Sequence, residues 1–135
     1  MTGAADIRAT GGCLCGAVRF AVRGPLSPAV ACHCGQCRKQ TGHFMVATRA
    51  DREALSFERQ DGLAWYRASD AAERGFCKTC GSTLFWSPDD AGYVAIAMGA
   101  LDPPTGLKIA RHIFAGDKSD YYDIGTDVPV FDGDD

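Results

Sequence analysis

Seven cysteines fall in three groups, Cys13-Leu14-Cys15, Cys32-His33-Cys34-Gly35-Gln36-Cys37 and Cys77-Lys78-Thr79-Cys80. Four thiolates close a tetrahedral zinc site, whereas three leave a fourth position for a water or a substrate sulfur. Seven divides into four plus three, which suggests one structural metal and one chemical metal. Cys77-Lys78-Thr79-Cys80-Gly81 presents two sulfurs from one turn and needs a second pair from elsewhere in the chain. Cys13 and Cys15, flanked by Gly11-Gly12 and Gly16, offer that pair, because glycine permits close backbone approach. Joined across a loop of roughly sixty residues, Cys13, Cys15, Cys77 and Cys80 would clasp the fold around a structural zinc.

Cys32, Cys34 and Cys37 lie on one short segment and can converge without help from distant chain. In a strand Cys32 and Cys34 point the same way and His33 the other, so His33 reads as a supporting or surface histidine rather than a fourth ligand. Spacing leaves a second partition open, with Cys34 and Cys37 joining the Cys77-Cys80 knuckle and Cys32 joining the first pair. Arg38 and Lys39 follow the triplet directly and are candidates for holding substrate carboxylates, with Arg38 favoured by position. Arg49, Arg111 and Lys118 are further cations. His43 and His112 are candidate proton shuttles, although a structural role is the commoner use of such residues.

The elements that must position these side chains are short strands. Period-2 alternation is clearest over 17–23, where Val18, Phe20 and Val22 face a core and Arg19 and Arg23 face water. Similar runs occupy 29–32, 44–48, 55–58, 63–67, 82–86, 93–98 and 109–114, separated by turn compositions such as Asp61-Gly62 and Asp102-Pro103-Pro104. The expected body is mainly β, of antiparallel sheets with very little helix. Two helical pieces are expected, 36–40 ended by Gly42, and 118–122 behind Asp117. Phe44, Trp65, Phe76, Phe85, Trp86 and Phe114 sit at strand spacing and read as core rather than substrate platform. The chain divides into an N-terminal extension at 1–10, one zinc-binding domain at 11–125 and an acidic tail at 126–135 whose end, from Phe131, is expected to be mobile.

A chain of 135 residues is one domain and buries a core without needing disulfides. No apolar run approaches the roughly 18 residues of a membrane span, and no secretory leader is visible. A cytoplasmic, reducing setting follows, in which clustered thiols hold metal, and an odd cysteine count disfavours a fully paired framework. A net charge of -3 gives no support for a nucleic-acid groove. The oligomeric state is open, a homo-oligomer included.

Taken together, Gly12-Cys13-Leu14-Cys15-Gly16, Cys32-His33-Cys34-Gly35-Gln36-Cys37-Arg38-Lys39, Phe76-Cys77-Lys78-Thr79-Cys80-Gly81-Ser82 and His112-Ile113-Phe114 resemble the glutathione-dependent formaldehyde-activating enzyme family, which also includes centromere protein V. The resemblance implies a β-tent of antiparallel sheets and two zinc ions per chain. Cys13, Cys15, Cys77 and Cys80 would hold the structural ion, and Cys32, Cys34 and Cys37 the catalytic one. It implies a carbon–sulfur lyase that condenses formaldehyde, or a related aldehyde, with glutathione or a similar thiol to give an S-hydroxymethyl adduct. Such chemistry suits three thiolates on zinc, since metal binding deprotonates a thiol whose ordinary pKa is about 8.5. The anionic site is a poor Lewis acid, which disfavours hydrolysis. Two other readings remain. A non-catalytic zinc-stabilised binding module would have its triplet completed by His33 or His43, and a redox-responsive protein would lose the triplet metal on oxidation.

Overall fold

The computed structural model of the chain describes residues 6–134. Residues 1–5, part of the expected extension, and Asp135 at the end of the tail lie outside it. The elements run β1 Ala9–Gly12, β2 Val18–Val22, β3 Ala29–Cys32, α1 Gly35–Thr41, β4 Met45–Asp51, β5 Leu55–Gln60, β6 Leu63–Arg67, β7 Ala72–Cys77, β8 Thr83–Pro88, β9 Tyr93–Ala97 and β10 Ile109–Ile113. Strands β1-β2-β5 form a three-stranded sheet, and β10-β3-β4-β9-β8-β7-β6 a seven-stranded one. The mainly β body with very little helix matches the expectation from the sequence, and the one α-helix among the described residues covers the first of the two helical pieces expected.

Alternation of side chains assigns the two faces of the larger sheet. On one face Thr48, Ile96 and Phe85 stand in a row across β4, β9 and β8. The small sheet covers that face, with Phe20 of β2 and Phe57 of β5 packing on Phe85 at ring separations of 5.2 and 5.8 Å. Phe20, Phe85, Leu84, Ile96, Val18 and Val22 are fully buried there, each contributing about 1.5–3 kcal/mol of transfer free energy. On the opposite face the register aligns Arg49, Ala95, Trp86 and Arg74 across β4, β9, β8 and β7. That row floors a cavity.

Several expectations are corrected. Strands β1 and β7 went unread because Ala-Thr-Gly-Gly and Ala-Glu-Arg-Gly-Phe-Cys carry no apolar alternation. The sheets are not wholly antiparallel, since β10 pairs with β3 in parallel. Residues 118–122 form no helix. The chain instead turns at Phe114, whose φ of 54° is left-handed, makes a single 3-10 turn at Ala115–Asp117 and leaves it extended at Lys118. The tail does not hang free either. His112 N–H donates to the Pro129 carbonyl, Phe131 N–H to the His112 carbonyl and Phe114 N–H to the Gly133 carbonyl, at 2.8–2.9 Å, so the tail satisfies the outer edge of β10. No helix among the described residues is long and apolar enough to cross a membrane.

Candidate metal centres and the adjoining cavity

Two cysteine clusters form, and their membership is that of the first partition. The sulfurs of Cys13, Cys15, Cys77 and Cys80 lie within 4.8 Å of one another, as do those of Cys32, Cys34 and Cys37, and none of the seven is in a disulfide.

The four-cysteine cluster sits where the two sheets meet. Cys13 and Cys15 lie between β1 and β2, while Cys77 ends β7 and Cys80 follows in the turn. Gly16 and Gly81, at φ of 86° and 82°, supply the left-handed bends that return the chain on either side. Backbone N–H groups point at the sulfurs, from Val18 to Cys13 at 3.2 Å and from Cys80 to Cys77 at 3.5 Å. The Ser82 hydroxyl accepts from Leu14 N–H and contacts the Cys80 sulfur at 3.2 Å. The contact with Ser82 holds the Cys80 thiol down at about 5. A tetrahedron with metal–sulfur bonds of about 2.3 Å has sulfur–sulfur edges of about 3.8 Å. Cys13–Cys15 and Cys15–Cys77 measure 3.7 and 3.8 Å, the lengths that a tetrahedral zinc site requires of those two edges.

The triplet is built by a strand end and a helix start. Cys32 closes β3, and Cys34 is the N-cap of α1, its sulfur accepting the N–H of Cys37 at 3.3 Å. Cys37 is buried on the first turn of α1, which Gly42 ends as expected at φ 90°. Crowding of the sulfurs concentrates one negative charge. Hydrogen bonds from Cys32 first and Cys37 second hold the Cys34 thiol far below its usual range, and the Cys34 sulfur pushes the Cys32 thiol far above its own. A cation among the sulfurs relieves that competition, which is the behaviour of a metal-binding donor set.

Histidine completes neither cluster. His33, 1% exposed, points away from Cys32 and Cys34 to the covered face, where its Nδ1 meets the Tyr122 hydroxyl at 2.6 Å and its Nε2 meets His112 Nδ1 at 2.9 Å. Burial, then the neighbouring His112, His43 and Lys118, lower its imidazole to about 4, so it is neutral at pH 7. His43 Nδ1 meets the Tyr121 hydroxyl at 2.5 Å. Phe44 stacks within the same group. None of the three histidines lines the cavity.

The cavity against the triplet has a volume of about 400 Å³ and is walled by Met45, Trp86, Tyr93, Ile113 and Phe114. Trp86 and Phe114, expected in the core, thus face it. Arg49 lies at its edge with its guanidinium 4.3 Å over the Tyr93 ring. Arg38 is not part of the lining. It lies close enough to Tyr122 for its charge to act on that phenol, and its Nε is buried without a hydrogen-bond partner among the described residues. Arg111 donates to the Asp134 carbonyl, Lys118 to the carbonyls of Ser119 and Tyr122, and Lys39 is on the exposed side of α1.

Sequence reasoning missed Arg74. It is 4% exposed, lines the cavity and donates from Nη2 to the Cys37 sulfur at 3.3 Å and from Nε to Gln36 Oε1 at 2.8 Å. The available signal was an arginine in the strand that runs into the Cys77-Cys80 knuckle, but Gly75 disguised that strand.

Comparison with known proteins agrees with this architecture. A family model described as glutathione-dependent formaldehyde-activating enzyme matches residues 8–117. A Halomonas elongata protein provisionally named as such an enzyme is 34% identical over 84% of this chain and 79% of its own. An uncharacterized lyase of Schizosaccharomyces pombe is 26% identical over 90% of this chain and 88% of its own. A crystal structure of a Rhodobacter sphaeroides protein superposes with a TM-score of 0.60 at 24% identity, covering 90% of this chain and 98% of the other, and so shares the fold. The chain belongs to the glutathione-dependent formaldehyde-activating enzyme family.

Proposed function

We propose that the protein is a zinc-dependent enzyme of carbon–sulfur lyase type, active in the cytoplasm, that joins a thiol such as glutathione to formaldehyde or a related aldehyde. The observation that carries this reading is that Cys32, Cys34 and Cys37 converge on the wall of an accessible cavity, with no histidine or carboxylate among the described residues joining them. A scaffold metal would be closed by protein; here the protein supplies three donors and a space. The four-cysteine set serves the fold instead, since it supplies all four donors of a closed site and ties the two sheets together.

Zinc held by Cys32, Cys34 and Cys37 would keep an incoming thiol deprotonated at neutral pH. The residues do the rest. Arg74, beside Cys37, offsets part of the negative charge of the sulfur set and keeps that cysteine aimed at its neighbours. In the balanced step the thiol loses its proton, a carbon–sulfur bond forms, the carbonyl π-bond breaks and the carbonyl oxygen takes a proton. His43 and His112 lie across β3 from the sulfurs, so that proton comes from solvent at the cavity mouth.

The test is a glutathione titration of cobalt-substituted protein. Expected is a shift of the visible bands of one cobalt per chain, reversed by formaldehyde, and acceleration of adduct exchange in NMR. Unchanged bands at saturating thiol, or a metal bound only by the four-cysteine set, would leave a metal-clasped β scaffold and no enzyme.

A further inference from the structure

Formaldehyde has almost no surface to bury, so the aromatic and aliphatic walls of the cavity must meet whatever the thiol carries. Glutathione carries two carboxylates, an ammonium and two amides. The polar side chains lining the cavity are few and mostly engaged. Gln36 accepts from Arg74 and donates to the Ala68 carbonyl, and the Ser69 hydroxyl accepts from Ala71 N–H. The floor strands spend their backbone groups on one another, through the pairings β4·β9 and β8·β9. Each amide buried there without a partner costs about 1–3 kcal/mol. An apolar or aromatic body loses nothing by the same burial.

One charge is provided for. Arg49 stands in the floor row with Ala95 and Trp86, is held over the Tyr93 ring, and makes no ion pair with any described carboxylate. The other guanidinium of the row, Arg74, is turned to the Cys37 sulfur. We infer that the site takes an apolar or aromatic thiol bearing a single carboxylate, its sulfur at Cys32, Cys34 and Cys37 and its carboxylate on Arg49. This inference rests on the reading of the triplet as a thiol-binding metal centre and names the thiol's class.

Calorimetry on zinc-loaded protein with para-carboxybenzyl thiol, benzyl thiol and glutathione tests it. The carboxylated aryl thiol binds about tenfold or more tighter than either of the others, the advantage expected of one charge-assisted hydrogen-bonded pair. Arg49→Ala removes its advantage over benzyl thiol and Arg49→Lys restores part of it, because the ammonium keeps the charge without the planar fork. Glutathione binding as tightly as the aryl carboxylate, or a preference that survives Arg49→Ala, overturns the inference while leaving the metal-bound thiol in place. If none of the three binds, that reading falls with it.

Discussion

Arg74 and Cys37 are 37 positions apart in sequence, yet the guanidinium Nη2 donates to the cysteine sulfur at 3.3 Å in a setting where both residues are buried. A buried cation needs a partner, and here it has a sulfur, a glutamine carbonyl and a thioether instead of a carboxylate. The pairing locks β7 to α1 across the cavity floor, so the helix carrying Cys37 is referenced to the sheet and not only to its own N-terminus.

Replacing that cation tests its contribution. Arg74→Met keeps the volume of the stem and removes the charge, and we expect metal affinity at the triplet to fall about tenfold or more, as for loss of other groups that support metal ligands. Chelator competition monitored per site measures it. The four-cysteine set should be untouched, because Arg74 makes no contact there, and equal weakening of both sites counts against the assignment.

The two clusters should respond differently to loss of a sulfur. Cys77 is 0% exposed and joins the sheets, so Cys77→Ser removes folding free energy along with a metal and should leave the chain largely unfolded at 25 °C. Cys34→Ser should give a folded protein, with near-native circular dichroism, one zinc fewer and no thiol-dependent cobalt bands. Identical behaviour of the two variants would contradict the division of labour.

Gly62 offers a test of the four-cysteine site that leaves every sulfur in place. A Cβ at this position would come within 2.8 Å of the Cys77 sulfur and of Ala17 Cβ, while the Gly62 carbonyl must still accept from Lys78 N–H at 2.7 Å. Gly62→Ala therefore pushes the knuckle off its partner turn. A loss of about 1–3 kcal/mol is expected from the overpacking, read as a lower denaturation midpoint together with faster zinc release on chelation.

Much of this was legible beforehand, and the reasons differ by residue. The knuckle residues and the triplet were readable because ligand spacing is a local property: Cys77 and Cys80 leave one turn, and Cys34 caps the helix that holds Cys37. β2 was readable because Val18, Phe20 and Val22 must face one way. Arg74 was not, and Arg49 was readable only as one of several candidate cations, since each acquires its meaning from pairings across four strands, Arg49 with Ala95, Ala95 with Trp86 and Trp86 with Arg74. Nor was the docking of the tail on β10, which depends on an edge left open by the parallel pairing with β3.

Acid should weaken the join between the small sheet and the segment after β9. Asp102 accepts from Arg19 Nη2 and from the Thr10 hydroxyl, both at 2.7 Å, and these bonds hold its carboxyl below the usual carboxylate range. A lowered folded-state value means that the contribution is complete above the ordinary aspartate value, about 3.9, and disappears as pH falls through the lower folded one. The groups are half exposed, so the effect is under about 1 kcal/mol. Asp102→Asn should flatten that part of the stability–pH curve in urea titrations and leave stability at pH 9 lower by the same small amount.

His33 lies between two cysteines of the triplet, with its ring on the other side of the strand, gripped at both nitrogens by Tyr122 and His112. Held at both nitrogens, the ring would fix the rotation of the backbone that carries Cys32 and Cys34. His33→Phe keeps a ring of similar size and leaves the half-buried Tyr122 hydroxyl and His112 Nδ1 without this partner, at a cost of at most about 1–3 kcal/mol for each. Tyr122→Phe frees only one nitrogen and should cost less, and the double variant should cost less than the sum because the two share one bond. A histidine that merely filled space would lower the melting midpoint alone. If His33 also steers the ligand strand, zinc affinity at the triplet must fall in His33→Phe while the four-cysteine site keeps its own, and a midpoint shift with both affinities intact refutes the steering role.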